Sequence, residues 1–189
     1  MRLTDLRTYL PGVREKIHYA TTDNFTGRVL YKNPGLYLRQ TAAEKLKGVQ
    51  DSLRKKNLQL VLYDAYRPYR ITREMWVGIE DERYVANPAK GSGHNRGIAV
   101  DLTLADLSTG QLLDMPTGYD NFSDTAHLDF LNLPQHVINN RELLRGIMEH
   151  YGFIVLETEW WHFYLPESRR YPLMDFSFQQ LSKFLSGVN

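Results

Sequence analysis

An aspartate interrupts the largely apolar run Ile98–Leu104. The run predicts a buried strand, and a carboxylate inside such a strand carries a large desolvation cost unless it is paired, hydrogen-bonded or bound to a cation. The fold therefore has to bring a partner or a ligand to Asp101. A glycine-punctuated loop that carries His94 runs directly into this strand.

Hydrophobic periodicity predicts three helices and four strands. The helices are predicted over 41–56, opened by a Thr41-x-x-Glu44 capping box, from Pro68 to about Ile79, and from a cap at Asn140 to a stop at Gly152. The strands are predicted over 58–63, 98–104, 153–156 and 161–164. Helices and strands mix without regular βαβ alternation, which predicts an α+β fold with a small, largely antiparallel sheet flanked by helices.

Length and charge narrow the possible classes of protein. The 189 residues, at 22.1 kDa, predict a single domain over 1–189, and 42% hydrophobic with 24% charged residues is typical of a globular chain. The formal net charge of +1 gives no indication of a broad phosphate-binding surface, so we expect no nucleic acid partner.

The chain has no cysteine, which excludes disulfides, thiol catalysis and cysteine zinc clusters. A metal would have to be held by His, Asp or Glu. Charges interrupt the first seven residues, and no run of about 18 apolar residues occurs, so we expect neither an export signal nor a membrane span. The expected compartment is the cytoplasm, or the periplasm if a leader has been removed from this chain.

Two of the six histidines stand in informative contexts. His94 precedes Asp101 in the loop-to-strand segment, and His162 follows two carboxylates and two tryptophans in Glu157-Thr-Glu159-Trp-Trp-His162. Two imidazoles and one carboxylate are a ligand set for catalytic zinc, with the fourth position left for water. We expect the remaining histidines to lie at the surface or in local hydrogen bonds: His18, His127, His136 and His150.

A glutamate near such a site would serve as the general base, and aromatic surroundings would raise its pKa toward the useful range. Spacing alone does not choose between Glu157 and Glu159. Positions three apart point to opposite faces of a regular strand, so Glu159 and His162 converge only if the backbone is irregular between them. We predict that irregularity.

Arg67 follows the predicted strand 58–63 and precedes Pro68. The arginine directs a permanent cation into the same cleft, forms a salt bridge with Asp64, or is an exposed charge in a loop.

Five segments in this order resemble the zinc D-alanyl-D-alanine dipeptidases of the VanX type, within the wider group of zinc peptidases that cleave D-Ala-D-Ala. The resemblance covers nearly the whole chain. It rests on 19–27 (YATTDNFTG), 63–68 (YDAYRP), 92–104 (SGHNRGIAVDLTL), 114–120 (DMPTGYD) and 159–163 (EWWHF).

The resemblance implies one Zn²⁺ per chain held by His94, Asp101 and His162, with Glu159 rather than Glu157 as the base. It further implies that Arg67 stabilises the oxyanion. The residues it implies for substrate binding are Asp120 and Tyr19 near the free ammonium and Ser92 in the pocket. The implied partner is a small dipeptide, and three settings share the implied reaction: vancomycin resistance, peptidoglycan turnover and the use of D-alanine as a nutrient.

The chain departs from the family pattern at Pro116, Tyr119 and Gly93, where glycine, phenylalanine, and serine or asparagine are common. Two other functions stay open at this point. A D,D- or L,D-carboxypeptidase acting on peptidoglycan stem peptides would use the same zinc centre, and a non-catalytic domain would retain the zinc alone.

Overall fold

The computed structural model describes residues 3–77, 79–82, 84–166 and 170–187. Strands and helices alternate irregularly along them. The strands are β1 (Leu3–Asp5), β2 (Arg14–Glu15), β3 (Tyr37–Arg39), β4 (Leu58–Asp64), β5 (Ala99–Asp106), β6 (Ile154–Leu156) and β7 (Glu159–Tyr164). The helices are α1 (Leu6–Tyr9), α2 (Gln40–Arg54), α3 (Tyr69–Trp76), α4 (Gln135–His150) and α5 (Phe178–Ser186), with 3₁₀ turns at His18–Ala20, His94–Arg96 and Asp124–Ala126.

The central sheet has the strand order β2-β4-β5-β7-β6. Strand β2 runs parallel to β4, and the other pairs in this sheet are antiparallel. Strands β1 and β3 form a separate antiparallel pair. The predicted α+β fold with a small, largely antiparallel sheet is therefore confirmed. Within the described part of the chain, no helix combines the length and the apolar character needed to cross a membrane.

Strand β5 has two chemically different faces. Val100, Leu102 and Leu104 are buried in a core that they share with the apolar faces of α2 and α4. Asp101 and Thr103 alternate with them and so point away from those helices. The helices thus anchor one face of the sheet, and the other face presents the aspartate.

The sheet register aligns three polar side chains across adjacent strands. Asp64 on β4 is the register partner of Asp101 on β5, and Asp101 is the partner of His162 on β7. A register shift between Leu62 and Asp64 leaves Tyr63 as an extra residue in β4. This bulge brings Asp64 opposite Asp101.

The predicted irregularity in the last strand is confirmed. Val155 pairs with Phe163, but the next residue, Leu156, pairs with Glu159, so the ladder between β6 and β7 skips three residues of β7. Both Trp160 and Trp161 are buried, which a simple alternation would not give. The break allows Glu159 and His162 to line one cavity.

Several helix boundaries differ from the prediction. The prediction of a capping box at Thr41 is wrong, because α2 begins at Gln40 and its N-cap residue makes no side-chain hydrogen bond. The cap at Asn140 is also wrong, since α4 begins at Gln135 directly after Pro134. Helix α3 ends at Trp76, before Ile79.

Candidate metal centre and active site

A cavity of about 500 Å³ opens where the sheet presents Asp101. Its wall includes all eight residues that the family resemblance implies for the site. They are Tyr19, Arg67, Ser92, His94, Asp101, Asp120, Glu159 and His162.

Three donor atoms of this wall converge closely. Oδ1 of Asp101 lies 2.8 Å from Nδ1 of His162 and 3.2 Å from Nε2 of His94. The two histidine nitrogens are 3.1 Å apart. His94 and Asp101 are almost fully buried. Strands β5 and β7 supply Asp101 and His162, and the 3₁₀ turn before β5 supplies His94.

The donor set fits a divalent metal. Nδ1 of His94 donates to the Ala65 carbonyl oxygen over 2.7 Å, because a carbonyl can only accept, and this leaves the Nε2 lone pair facing the other two atoms. Such a group of lone pairs requires a proton or a cation among them. Ligand atoms about 2.0–2.1 Å from a tetrahedral zinc lie about 3.3 Å from each other. The observed triangle is close to that size, and a possible His–Asp–His metal site is therefore present.

The charges within the triangle are strongly coupled. Burial alone would raise the pKa of Asp101, but the imidazoles of His94 and His162 outweigh it and hold that pKa well below the usual range. Burial alone would lower the pKa of His162, whereas its hydrogen bond to Asp101 raises it above 6.5. The carboxylate therefore stays ionised and available to a cation.

Glu159 lies on the same wall without belonging to the triangle. Burial raises its pKa to about 7, while the positive charges of His162 and Arg67 oppose that rise. Glu157 occupies the exposed turn between β6 and β7, where its carbonyl accepts from Leu128. The geometry therefore favours Glu159 over Glu157 as a group that exchanges protons inside the cavity.

Arg67 is not an exposed loop charge, since it is buried, and it both lines the cavity and pairs with Asp64. Its Nε and Nη2 lie 2.9 and 2.8 Å from Oδ2 of Asp64, and the same side chain lines the cavity. Asp64 is 1% exposed and also accepts from the Tyr31 hydroxyl over 2.9 Å. The guanidinium is thus held in one orientation by a buried carboxylate, with Nη2 3.9 Å from Oδ2 of Asp101.

Asp120 contributes a buried carboxylate that can accept a further hydrogen bond. Its Oδ1 accepts from the Tyr19 hydroxyl over 3.1 Å, but its Oδ2 is buried and has no hydrogen-bond partner among the residues that the structure describes. Burial and the nearby charge of Asp101 raise the pKa of Asp120 well above its usual range. The backbone at Asp120 is left-handed, with φ 57°. A cationic ligand would satisfy the free oxygen.

The loop before β5 is held by short-range hydrogen bonds. Ser92 Oγ accepts from the His94 amide over 3.1 Å, and the Asn95 side chain donates to the Arg67 carbonyl over 2.9 Å. Asn95 is fully buried, so it links the loop of His94 to the loop of Arg67. Sequence reasoning missed this role, although Asn95 stands next to His94.

Three of the remaining histidines fit the expectation of surface or local contacts. His136 and His150 are exposed, and His127 is partly buried near the Arg141 side chain. His18 differs, because Nδ1 bonds to the Asp23 carbonyl whereas Nε2 is buried and finds no partner in the described part of the chain.

The chain is similar to characterised peptidases over almost its full length. A family model described as D-Ala-D-Ala dipeptidase matches residues 1–181. The D-alanyl-D-alanine dipeptidase of Escherichia coli K12 is 38% identical over 97% of this chain and 93% of its own length. The enzyme of the same name from Enterococcus faecium is 32% identical over 93% of this chain and 96% of its own.

Solved structures give a more distant likeness. VanYB in complex with D-alanine-D-alanine is 15% identical, with a TM-score of 0.45 over 83% of this chain and 82% of that one. The family assignment therefore rests on the sequence matches. The aligned length and identity, together with a metal-type donor triangle, show that this chain belongs to the D-Ala-D-Ala dipeptidase family of metallopeptidases.

Proposed function

We propose that this chain, acting as a single domain over 1–189, hydrolyses free D-Ala-D-Ala to two D-alanines with one Zn²⁺ held by His94, Asp101 and His162. The observation that carries the proposal is the convergence of these three donors within 3.2 Å on the wall of one cavity. The names of the relatives support the dipeptide as substrate.

The nitrogen and oxygen donors favour zinc, which prefers imidazole and carboxylate ligands in tetrahedral sites. When bound, the ion supplies Lewis acidity: it lowers the pKa of a water molecule and polarises the scissile carbonyl. His94 and His162 have to be neutral to bind it, and the Ala65 carbonyl keeps the Nε2 lone pair of His94 free.

Glu159 is the proposed general base and acid. Because burial raises its pKa to about 7, its carboxylate can accept a proton from the attacking water and return it to the departing amine near neutral pH. A carboxylate with an ordinary pKa would be a weaker base for the first of these transfers.

Arg67 is the proposed donor to the carbonyl oxygen as negative charge develops there. Its guanidinium is already oriented by two contacts to Asp64, so little reorganisation accompanies the reaction. No covalent intermediate on the protein is required.

Asp120 and Tyr19 are proposed to bind the free ammonium of the dipeptide. The unpartnered Oδ2 of Asp120 would gain an ionic hydrogen bond, while Tyr19 holds Oδ1 in place. Ser92 is proposed to line the substrate pocket. A substrate without the free ammonium would leave the buried carboxylate uncompensated, which a site of this kind rejects strongly.

Metal analysis combined with D-alanine release tests the proposal. We expect about one zinc per chain, rapid release from free D-Ala-D-Ala, and none from its N-acetyl form or from a stem pentapeptide. Preferential cleavage of the pentapeptide would contradict the proposal and favour a carboxypeptidase. Bound zinc without hydrolysis of any D,D- or L,D-dipeptide would favour a non-catalytic domain.

A further inference from the structure

The Tyr119 hydroxyl donates a hydrogen bond to Oδ2 of Asp101 over 2.8 Å. This is the oxygen that does not face the two histidines, since Oδ1 is the atom within 2.8 Å of Nδ1 of His162. The two oxygens of the carboxylate therefore have separate partners. Oδ1 is one of the three converging donor atoms, and Oδ2 accepts the hydrogen bond from the Tyr119 hydroxyl.

The Tyr119 ring is enclosed by other aromatic rings. Its centroid lies 4.7 Å from that of Tyr63, 5.2 Å from His18, 5.6 Å from Trp161 and 5.8 Å from Tyr19. A ring held on several sides has little freedom to swing, so the direction of its hydroxyl is fixed.

Arg67 is a second potential partner for Oδ2 of Asp101. The Nη2 atom of Arg67 is 3.9 Å from this oxygen, which is too long for a hydrogen bond, and it is engaged by Asp64 at 2.8 Å. Without the hydroxyl, rotation of the carboxylate toward the guanidinium would form a direct ion pair. That rotation would withdraw Oδ1 from the triangle.

We propose that Tyr119 is a positioning residue that holds Oδ2 of Asp101 so that Oδ1 is presented to the metal and Arg67 stays free for substrate. The inference deepens the proposed function, because it rests on Asp101 being a metal ligand. The role is indirect, because the hydroxyl bonds to the carboxylate oxygen that lies outside the donor triangle and acts through the orientation of that one carboxylate.

The test is the zinc affinity of Tyr119→Phe, measured by competition with a chromophoric chelator. Partners of this kind typically contribute 10–100-fold to metal affinity, and we expect a loss in that range. Tyr63→Phe is the matched control, because it removes a hydroxyl from the adjacent buried ring, whose partner is Thr103 rather than a metal ligand. The control should keep zinc affinity within about twofold, and circular dichroism should confirm that both variants are folded.

Two results would overturn the inference. One is a zinc affinity of Tyr119→Phe within about twofold of the unsubstituted protein, and the other is an equal loss in Tyr63→Phe, which would reflect general loosening of the aromatic cluster. The readout needs no substrate, so it separates this inference from the proposed hydrolysis. A chain that binds zinc but fails to release D-alanine would contradict the proposed function alone.

Discussion

Replacing Glu159 with glutamine should strongly lower kcat and at the same time stabilise the metal-free protein at alkaline pH. The substitution keeps the shape of the side chain and removes its capacity to take up a proton. Loss of a general base typically lowers the rate by about 10²–10⁴, which corresponds to about 3–5 kcal/mol of activation free energy. We therefore expect kcat to fall by that factor while zinc binding is retained.

The effect on stability follows from the pKa of the buried carboxyl. In the folded, metal-free protein this pKa is about 7, against 4.5 in the unfolded chain. Because the folded-state value is raised, the native protein holds a proton that the unfolded chain releases between these pH values, and stability falls as pH rises through that window. At about 1.36 kcal/mol per pKa unit, the full penalty for ionising Glu159 is about 3 kcal/mol.

Glutamine carries no such penalty. The free energy of unfolding of Glu159→Gln, relative to the unsubstituted protein, should increase by about 2–3 kcal/mol between pH 5 and pH 8. Urea denaturation of both metal-free proteins at the two pH values measures this difference, and subtraction cancels the contributions of titrating groups that do not interact with Glu159.

Glu157→Gln is the matched control, since it makes the same chemical change in the exposed turn two residues away. Its activity and its pH dependence of stability should equal those of the unsubstituted protein. A relative stability of Glu159→Gln that is the same at both pH values would refute the argument from burial. Near-normal turnover of that variant with full metal occupancy would refute its role as the base.

Three further variants test other parts of the site. Asp120→Asn should weaken the discrimination between D-Ala-D-Ala and its N-acetyl form, measured as the ratio of the two kcat/KM values; an unchanged ratio would contradict ammonium binding by Asp120. Arg67→Lys keeps a cation beside buried Asp64, so the protein should fold and bind zinc with kcat about 10²–10³-fold lower; unchanged kcat would exclude the oxyanion role. Gly93→Ala should cost about 1–3 kcal/mol in urea denaturation, because its Cβ would lie 2.8 Å from Cβ of Ala99. Ala99→Gly in that background should recover part of the loss, and a fully stable Gly93→Ala would show that the neighbours yield.

The sequence predicted the parts of the fold that carry their own local signals. Strand β5 could be predicted because an apolar run of this length is typical of a strand buried on both faces. The aspartate within that run, Asp101, indicated a functional site. The break in β7 was also predictable, since Glu159 and His162 cannot share a face of a regular strand.

Other parts depend on contacts that local patterns do not encode. Strands β1, β2 and β3 contain only two or three residues, and they exist because distant segments pair with them. The hydroxyl of Tyr119 reaches Asp101 from 18 positions away through a loop with no regular structure. Spacing alone gives no access to such a contact.

Two helix starts show how local signals compete. Pro68 and Pro134 each stand immediately before a helix, α3 and α4, and proline is tolerated at a helix start because an amide there would have no partner within the helix. The same reasoning applied to Pro134 would have corrected the start assigned to Asn140. Helix α5 carried an unused signal, since Ser177 and Gln180 form a capping box at its start.

The cross-strand alignment of Asp64, Asp101 and His162 ties chemistry to the assembly of the sheet. A slip of one residue in either strand pair would turn a member of this row to the opposite face and into the helical core. A mispaired chain would thus lose its ion-binding centre along with its packing. Metal uptake during refolding accordingly becomes a direct gauge of how many molecules have paired their strands correctly.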